Sequence, residues 1–138
     1  MKLIGFNFSK ISINKESDNF KGLKINTNIN IQEIKEIKTN ILKGKEEILG
    51  VKFNYLLNYE PNIAIIEFEG NILIETDVES MKDIIRKWGT KKISEDFKIV
   101  LFNIILRKCN IKSLQLEDEM NLPLHINLPS VQKEKKEE

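Results

Sequence analysis

Apolar and polar residues alternate along the first half of the chain, and the apolar period lengthens to three and four in the second half. Ile4, Phe6 and Phe8 are followed by Ile11 and Ile13, so Lys2–Lys15 reads as a strand. The phase changes between Phe8 and Ile11, which predicts one inserted residue, a β-bulge near Ser9 and Lys10. Residues 16–22 form a polar turn. A second strand then places Leu23, Ile25, Ile29 and Ile31 on one face. From Ile31 onward, Ile34, Ile37 and Ile41 recur every three or four residues, the spacing of a helical turn built from a residue that favours strands. Strand, helix and loop all remain open for residues 31–42.

The third strand puts Leu49, Val51, Phe53, Tyr55, Leu57 and Tyr59 on odd positions. Glu60, Pro61 and Asn62 make a tight turn, in which asparagine tolerates left-handed backbone. The fourth strand follows as the second arm of an antiparallel hairpin, with Ile66, Phe68, Ile72 and Ile74 on one face and Glu67, Glu69 and Glu75 on the other. Thr76, Asp77, Val78 and Glu79 have the form of a capping box with Thr76 as the cap. Val78, Met81, Ile85 and Trp88 continue it as a helical stripe ended by Gly89. A longer helix starts near Ser94 and runs to at least Cys109, with a kinked continuation to Met120 left open. It is apolar on nearly all sides between Ile99 and Leu106, which predicts cover by the sheet and by another subunit. Pro123 and Pro129 then bracket an extended segment in which Leu124, Ile126 and Leu128 alternate, and two prolines exclude a central strand.

Composition narrows the chemistry. The 138 residues are 41% hydrophobic, enough for one core, and read as a single domain over 1–131 with a charged, disordered tail at 132–138. Lysine and arginine number 22 against 21 acids, and a net charge of +1 argues against nucleic acid as a partner, Lys87, Lys91 and Lys92 notwithstanding. No apolar run approaches the roughly 20 residues that span a bilayer, and there is no signal-peptide pattern. One cysteine, Cys109, fits a reducing compartment, so the expected location is the cytoplasm. Cys109 and the single histidine, His125, are too few for an ordinary zinc site. As a nucleophile and base they are a weaker reading than Cys109 packing as a small hydrophobe. The glycines are too scattered for a phosphate-binding loop. Neither a cofactor nor an enzymatic activity is expected.

Four strands, a short helix, a long apolar helix and a proline-flanked extended segment make a specific order, which resembles the SecB-like export chaperone family. Two short motifs carry the resemblance. One is the first strand, Ile4 to Phe8 followed by Ser9, Lys10, Ile11, Ser12 and Ile13. The other is Arg107, Lys108 and Cys109 with the later run of Leu122, Pro123, Ile126, Asn127, Leu128, Pro129, Ser130 and Val131. The resemblance implies an α+β fold, a four-stranded antiparallel sheet followed by a short helix and a long interface helix. It also implies assembly into homodimers or homotetramers through the helix at 94–109, and ATP-independent holding of unfolded or export-competent polypeptides. Well-known members are strongly acidic and dock the Sec ATPase through that charge, whereas this chain is nearly neutral. Holding clients is therefore expected ahead of Sec targeting, with an antitoxin or a Sec component as a specific partner. The alternative is a dedicated interaction subunit with one obligate protein partner.

A holdase needs accessible apolar surface and no reactive group. Ile31, Ile34, Ile37, Ile41 and Leu42, with Trp88, Leu124, Ile126 and Leu128, are the candidate client-binding residues. Each can equally complete a core or a subunit interface. Glu67, Glu69 and Glu75 are candidate partner-docking residues, or the solvated face of a half-exposed sheet.

Overall fold

The computed structural model describes residues 1–38 and 46–134. Strands β1 (Lys2–Lys15), β2 (Lys24–Ile37), β3 (Glu46–Glu60) and β4 (Ala64–Asp77) form one antiparallel sheet in the order β1-β4-β3-β2. Helices α1 (Val78–Trp88) and α2 (Glu95–Glu119) follow. The arrangement is α+β, as the pattern of alternation predicts.

The sheet has one dry face because odd residues of β3 oppose even residues of β4. Val51 pairs with Ile72, Tyr55 with Phe68 and Leu57 with Ile66, and all six are buried. Their alternate neighbours are mostly polar, Leu56, Ile65 and Leu73 excepted, so a slip of one residue would turn this whole set into water. Aromatic rings tie the edge strand to the centre. Tyr55 and Phe68 stack at 5.6 Å, Phe8 meets Phe68 at 5.2 Å, and Phe6 meets Phe53 at 5.5 Å.

The bulge expected in β1 is present, as a register shift between Phe8 and Lys10, with another between Leu3 and Gly5. A third, between Ile31 and Glu33, settles the open part of β2. The strand continues to Ile37, and the inserted Gln32 lets Ile31 and Ile34 face the same side, opposite Phe53 and Val51. A strand with one extra residue thus imitates helical spacing. Ile37, three positions on without a further bulge, pairs with Ile48 and faces the other side. Ile41 and Leu42 lie outside the described residues.

Asn62 takes the left-handed backbone expected of the β3–β4 turn, at φ 49°. The cap of α1 differs from expectation. Asp77 is the N-cap and accepts from the Ser80 N–H at 3.0 Å, while Thr76 is still a strand residue with its side chain on the buried face. Aspartate caps as well as threonine does, and β4 keeps Thr76 in its ladder opposite Glu47. Helix α1 packs against β2, β3 and β4, contributing Met81 and Ile84 to the core.

Helix α2 is capped by Ser94, whose hydroxyl accepts from Phe97, and carries Glu95 and Asp96 in its first turn, where the helix dipole favours negative charge. It continues well past Cys109 and closes in a Schellman motif. Asn121 is left-handed at φ 53°, the Leu122 N–H bonds to the Glu117 carbonyl at 2.9 Å, and Leu122 itself is buried. Pro123 then prevents the helix from resuming. Of the helix's many apolar residues, Phe97, Leu101, Ile105 and Cys109 are buried on one stripe, whereas Ile99, Val100 and Ile111 remain exposed.

Candidate functional site

The buried stripe of α2 recurs every fourth residue and does not stop at Cys109. Ser113 and Glu117 continue it, and both are fully buried. Glu117 therefore carries a carboxylate into the space between helix and sheet, where a charge is costly without partners. The partners come from two directions. From β3, the Tyr59 hydroxyl donates to Glu117 Oε2. From the returning tail, the backbone N–H of His125 donates to Oε2 at 2.8 Å, and His125 Nδ1 lies 2.7 Å from Oε1.

His125 also reaches two turns back along α2. Its Nε2 is 3.0 Å from Asn110 Oδ1, and that oxygen accepts the Tyr55 hydroxyl at 3.1 Å. Each ring nitrogen thus has an oxygen within hydrogen-bond distance. The side chains of His125 and Glu117 are 6% and 0% exposed and approach to 2.7 Å, a buried hydrogen-bonded pair at the short end of N···O distances. Burial first, and the adjoining carboxylate second, push the Tyr59 hydroxyl well above the usual phenol range, so it remains a donor at all physiological pH. Burial also raises Tyr55, and pushes the Cys109 thiol up to about 12, which keeps that thiol protonated and unreactive near neutrality. Lys15 Nζ adds a bond to the Met120 carbonyl at 2.9 Å, tying the end of β1 to the end of α2.

The seven candidate client-binding residues that the structure describes are not gathered into one groove. Ile31 and Ile34 are core residues, held inside by the bulge at Gln32, which corrects the expectation that they are accessible. Ile37 is on the opposite face of the sheet, in a cleft of about 410 Å³ that it lines with Glu33, Lys35, Lys52 and Leu73. Trp88 is part-buried at the end of α1, with Lys91 Nζ 4.6 Å above its ring. Leu124, Ile126 and Leu128 do alternate, but they face outward while His125 faces in.

Glu67, Glu69 and Glu75 lie on the sheet face away from the helices, opposed in the ladder by Lys10 and Lys2 as well as by neutral residues. Glu67 accepts from Lys10 and, at 3.1 Å, from Asn54. The hydrogen bond from Lys10, followed by that from Asn54, holds the Glu67 carboxyl below the usual glutamate range. A depressed carboxyl stabilises the fold at neutral pH and loses that contribution as pH falls through its folded value. Carboxyl-carbon NMR titration should thus find Glu67 below an ordinary glutamate, and Lys10→Ala should return it upward. An ordinary midpoint in the unmodified protein would contradict the pairing.

The sequence marks Tyr55 and Tyr59 as residues of the packed strand face and assigns no role to Asn110 and Glu117, although a signal for Glu117 is there. Extending the four-residue stripe from Phe97 places Glu117 inside, eight positions before the only histidine.

With this geometry, the chain has the fold of the SecB-like chaperones. It is similar in structure to the Mycobacterium tuberculosis Rv1957 SecB-like chaperone in complex with a ChAD peptide from the Rv1956 HigA1 antitoxin. The superposition has a TM-score of 0.50 and 10% sequence identity, and covers 97% of this chain and 92% of that one. At that identity the likeness is one of fold. No family model matches the sequence, and no curated protein matches it. Among the described residues, no helix is long and apolar enough to cross a membrane, and no three His, Cys, Asp or Glu side chains are grouped as metal ligands.

Proposed function

We propose that this chain is an ATP-independent holdase that binds extended, unfolded polypeptide on apolar surface. The observation that carries this reading is the outward-facing apolar surface of the last third of the chain. Ile99, Val100 and Ile111 on α2, with Leu124, Ile126 and Leu128 on the tail, are exposed beside a complete core. Apolar surface left out of a core usually marks a place where another chain binds. The α2 residues are suited to joining copies of the chain into a dimer or tetramer, and the returning tail to contacting clients. Ile37, Trp88 and the acidic face of Glu67, Glu69 and Glu75 are secondary candidates for client and partner contact.

A second reading is a dedicated subunit with one protein partner, such as an antitoxin. It is favoured by the single fact that the SecB-like structure of similar fold is a complex with an antitoxin peptide. A Sec component is a further candidate partner.

Suppression of aggregation tests the first reading. A chemically denatured model protein is diluted into increasing amounts of the chain without ATP, and light scattering is followed. Suppression should saturate near one client per oligomer, and Ile126→Asp with Leu128→Asp should weaken it with circular dichroism unchanged. Absence of suppression by a folded, assembled chain would overturn general holdase activity and favour the dedicated subunit.

A further inference from the structure

The tail is docked the wrong way round for a segment held by burial. Such a segment turns its apolar side chains inward. Here Leu124, Ile126 and Leu128 keep 37%, 37% and 54% of their surface exposed, whereas the polar His125 is enclosed. Beyond the buried Leu122 and the partly covered Leu124 and Ile126, the polar attachment is concentrated at His125, through its backbone N–H and both ring nitrogens, onto Glu117 and Asn110. A hold that rests on one residue can be released at one residue.

We propose that residues 121–131 are a releasable strap that occupies the chain's own client site, with His125 as its latch. The inference rests on the client-holding reading and deepens it by naming the floor of the site. When closed, the polar floor of Glu117, Asn110 and the hydroxyls of Tyr55 and Tyr59 is filled by His125. When open, Glu117 Oε2 is free to accept a backbone N–H from an extended polypeptide in place of the His125 N–H, a contact any client sequence can make. Ile25 and Ile29, the part-buried ladder partners of Tyr59 and Tyr55, supply apolar surface next to that floor. Leu124, Ile126 and Leu128 become the movable wall. Client binding has to displace the latch, so the apparent affinity is lowered by the fraction of molecules in the closed state.

The full-length chain and its His125→Ala variant are compared in two measurements. Hydrogen exchange reads the amides of residues 122–125, and titration with reduced, carboxymethylated lactalbumin, a chain that cannot refold, reads client affinity. Release of the latch should remove the protection at residue 125 and tighten client binding by about a hundredfold, the gain expected if the open form is about a hundredth of the population. Asn110→Ala, which removes one contact and leaves Glu117 paired, should give a smaller change in the same direction and serves if His125→Ala fails to fold. Unchanged or weaker binding after protection is lost would overturn the strap as an occupant of the site, and so would a residue 125 amide already unprotected in the unmodified chain. If neither protein binds client, the holdase reading fails, and the exchange measurement alone then decides whether the strap exists.

Discussion

Glu117→Ala is expected to lower the free energy of unfolding by about 3 kcal/mol or more, since three buried groups each lose an acceptor at about 1–3 kcal/mol. The cost arises in the groups left behind. The Tyr59 hydroxyl, the His125 backbone N–H and the His125 ring all lose their shared acceptor in a place sealed from water. For a chain of this length the melting temperature should fall by about 10 °C or more. Glu117→Gln keeps the shape and one acceptor oxygen, and should fall between the two. Urea denaturation followed by far-ultraviolet circular dichroism measures the effect. Adding His125→Ala to Glu117→Ala should cost much less than His125→Ala does alone, because the interaction is already gone. A loss for Glu117→Ala within about 1 kcal/mol, the scale of an ordinary neutral hydrogen bond, would show that the network is open to water in solution.

Gly70→Ala is the second large effect, and its origin is steric. A β-carbon at Gly70 would sit 2.6 Å from the Asn7 carbonyl oxygen and 2.8 Å from two ring atoms of Phe53. The ring can shift, but the carbonyl belongs to β1, which pairs with β4 at this point. Relief therefore requires the edge strand to move. The expected cost is at the upper end of the 1–3 kcal/mol typical of overpacking, or about 3 kcal/mol, with β1 amides exchanging faster than those of β3. Phe53→Leu should recover only part of the loss in combination, since it leaves the carbonyl in place. Gly50→Ala is the control. There the added carbon meets the end of the Ile37 side chain at 2.8 Å, which can rotate away, so the cost should be well under half as large. Equal costs at the two glycines would contradict this account.

Much of the fold was legible because alternation in β3 and β4 reports directly on which side chains share a face. The β1 bulge was legible for the same reason, since a strand that keeps its apolar set on one face must shift phase where a residue is inserted. The same event at Gln32 was not, because Ile31 and Ile34 lie three apart in a bulged strand and in a helix alike. What separates the two is the partner strand, and the pairing of Ile31 with Phe53 and Ile34 with Val51 is a tertiary fact. The cap of α1 fell one residue from expectation because Thr76 and Asp77 are both good caps and the length of β4 chooses between them. The tail's alternation predicts an extended segment, whereas the chain bends at His125 and Ile126, and alternation alone does not say which side chains turn inward.

The sequence by itself determined the periodicities. These comprise four strands with one apolar face, a capped short helix, a long helix, a proline-bracketed extension, and a composition with one histidine and one cysteine. Local backbone sterics and the burial of one face suffice for those. The tertiary structure decided which apolar residues were left over once the core was full, and that a glutamate and a histidine eight residues apart would meet inside. Burial of a charge is never favoured by the residue alone. It becomes stable only when donors from β3 and from the returning tail converge on one carboxylate of α2, and that convergence exists only in the folded chain.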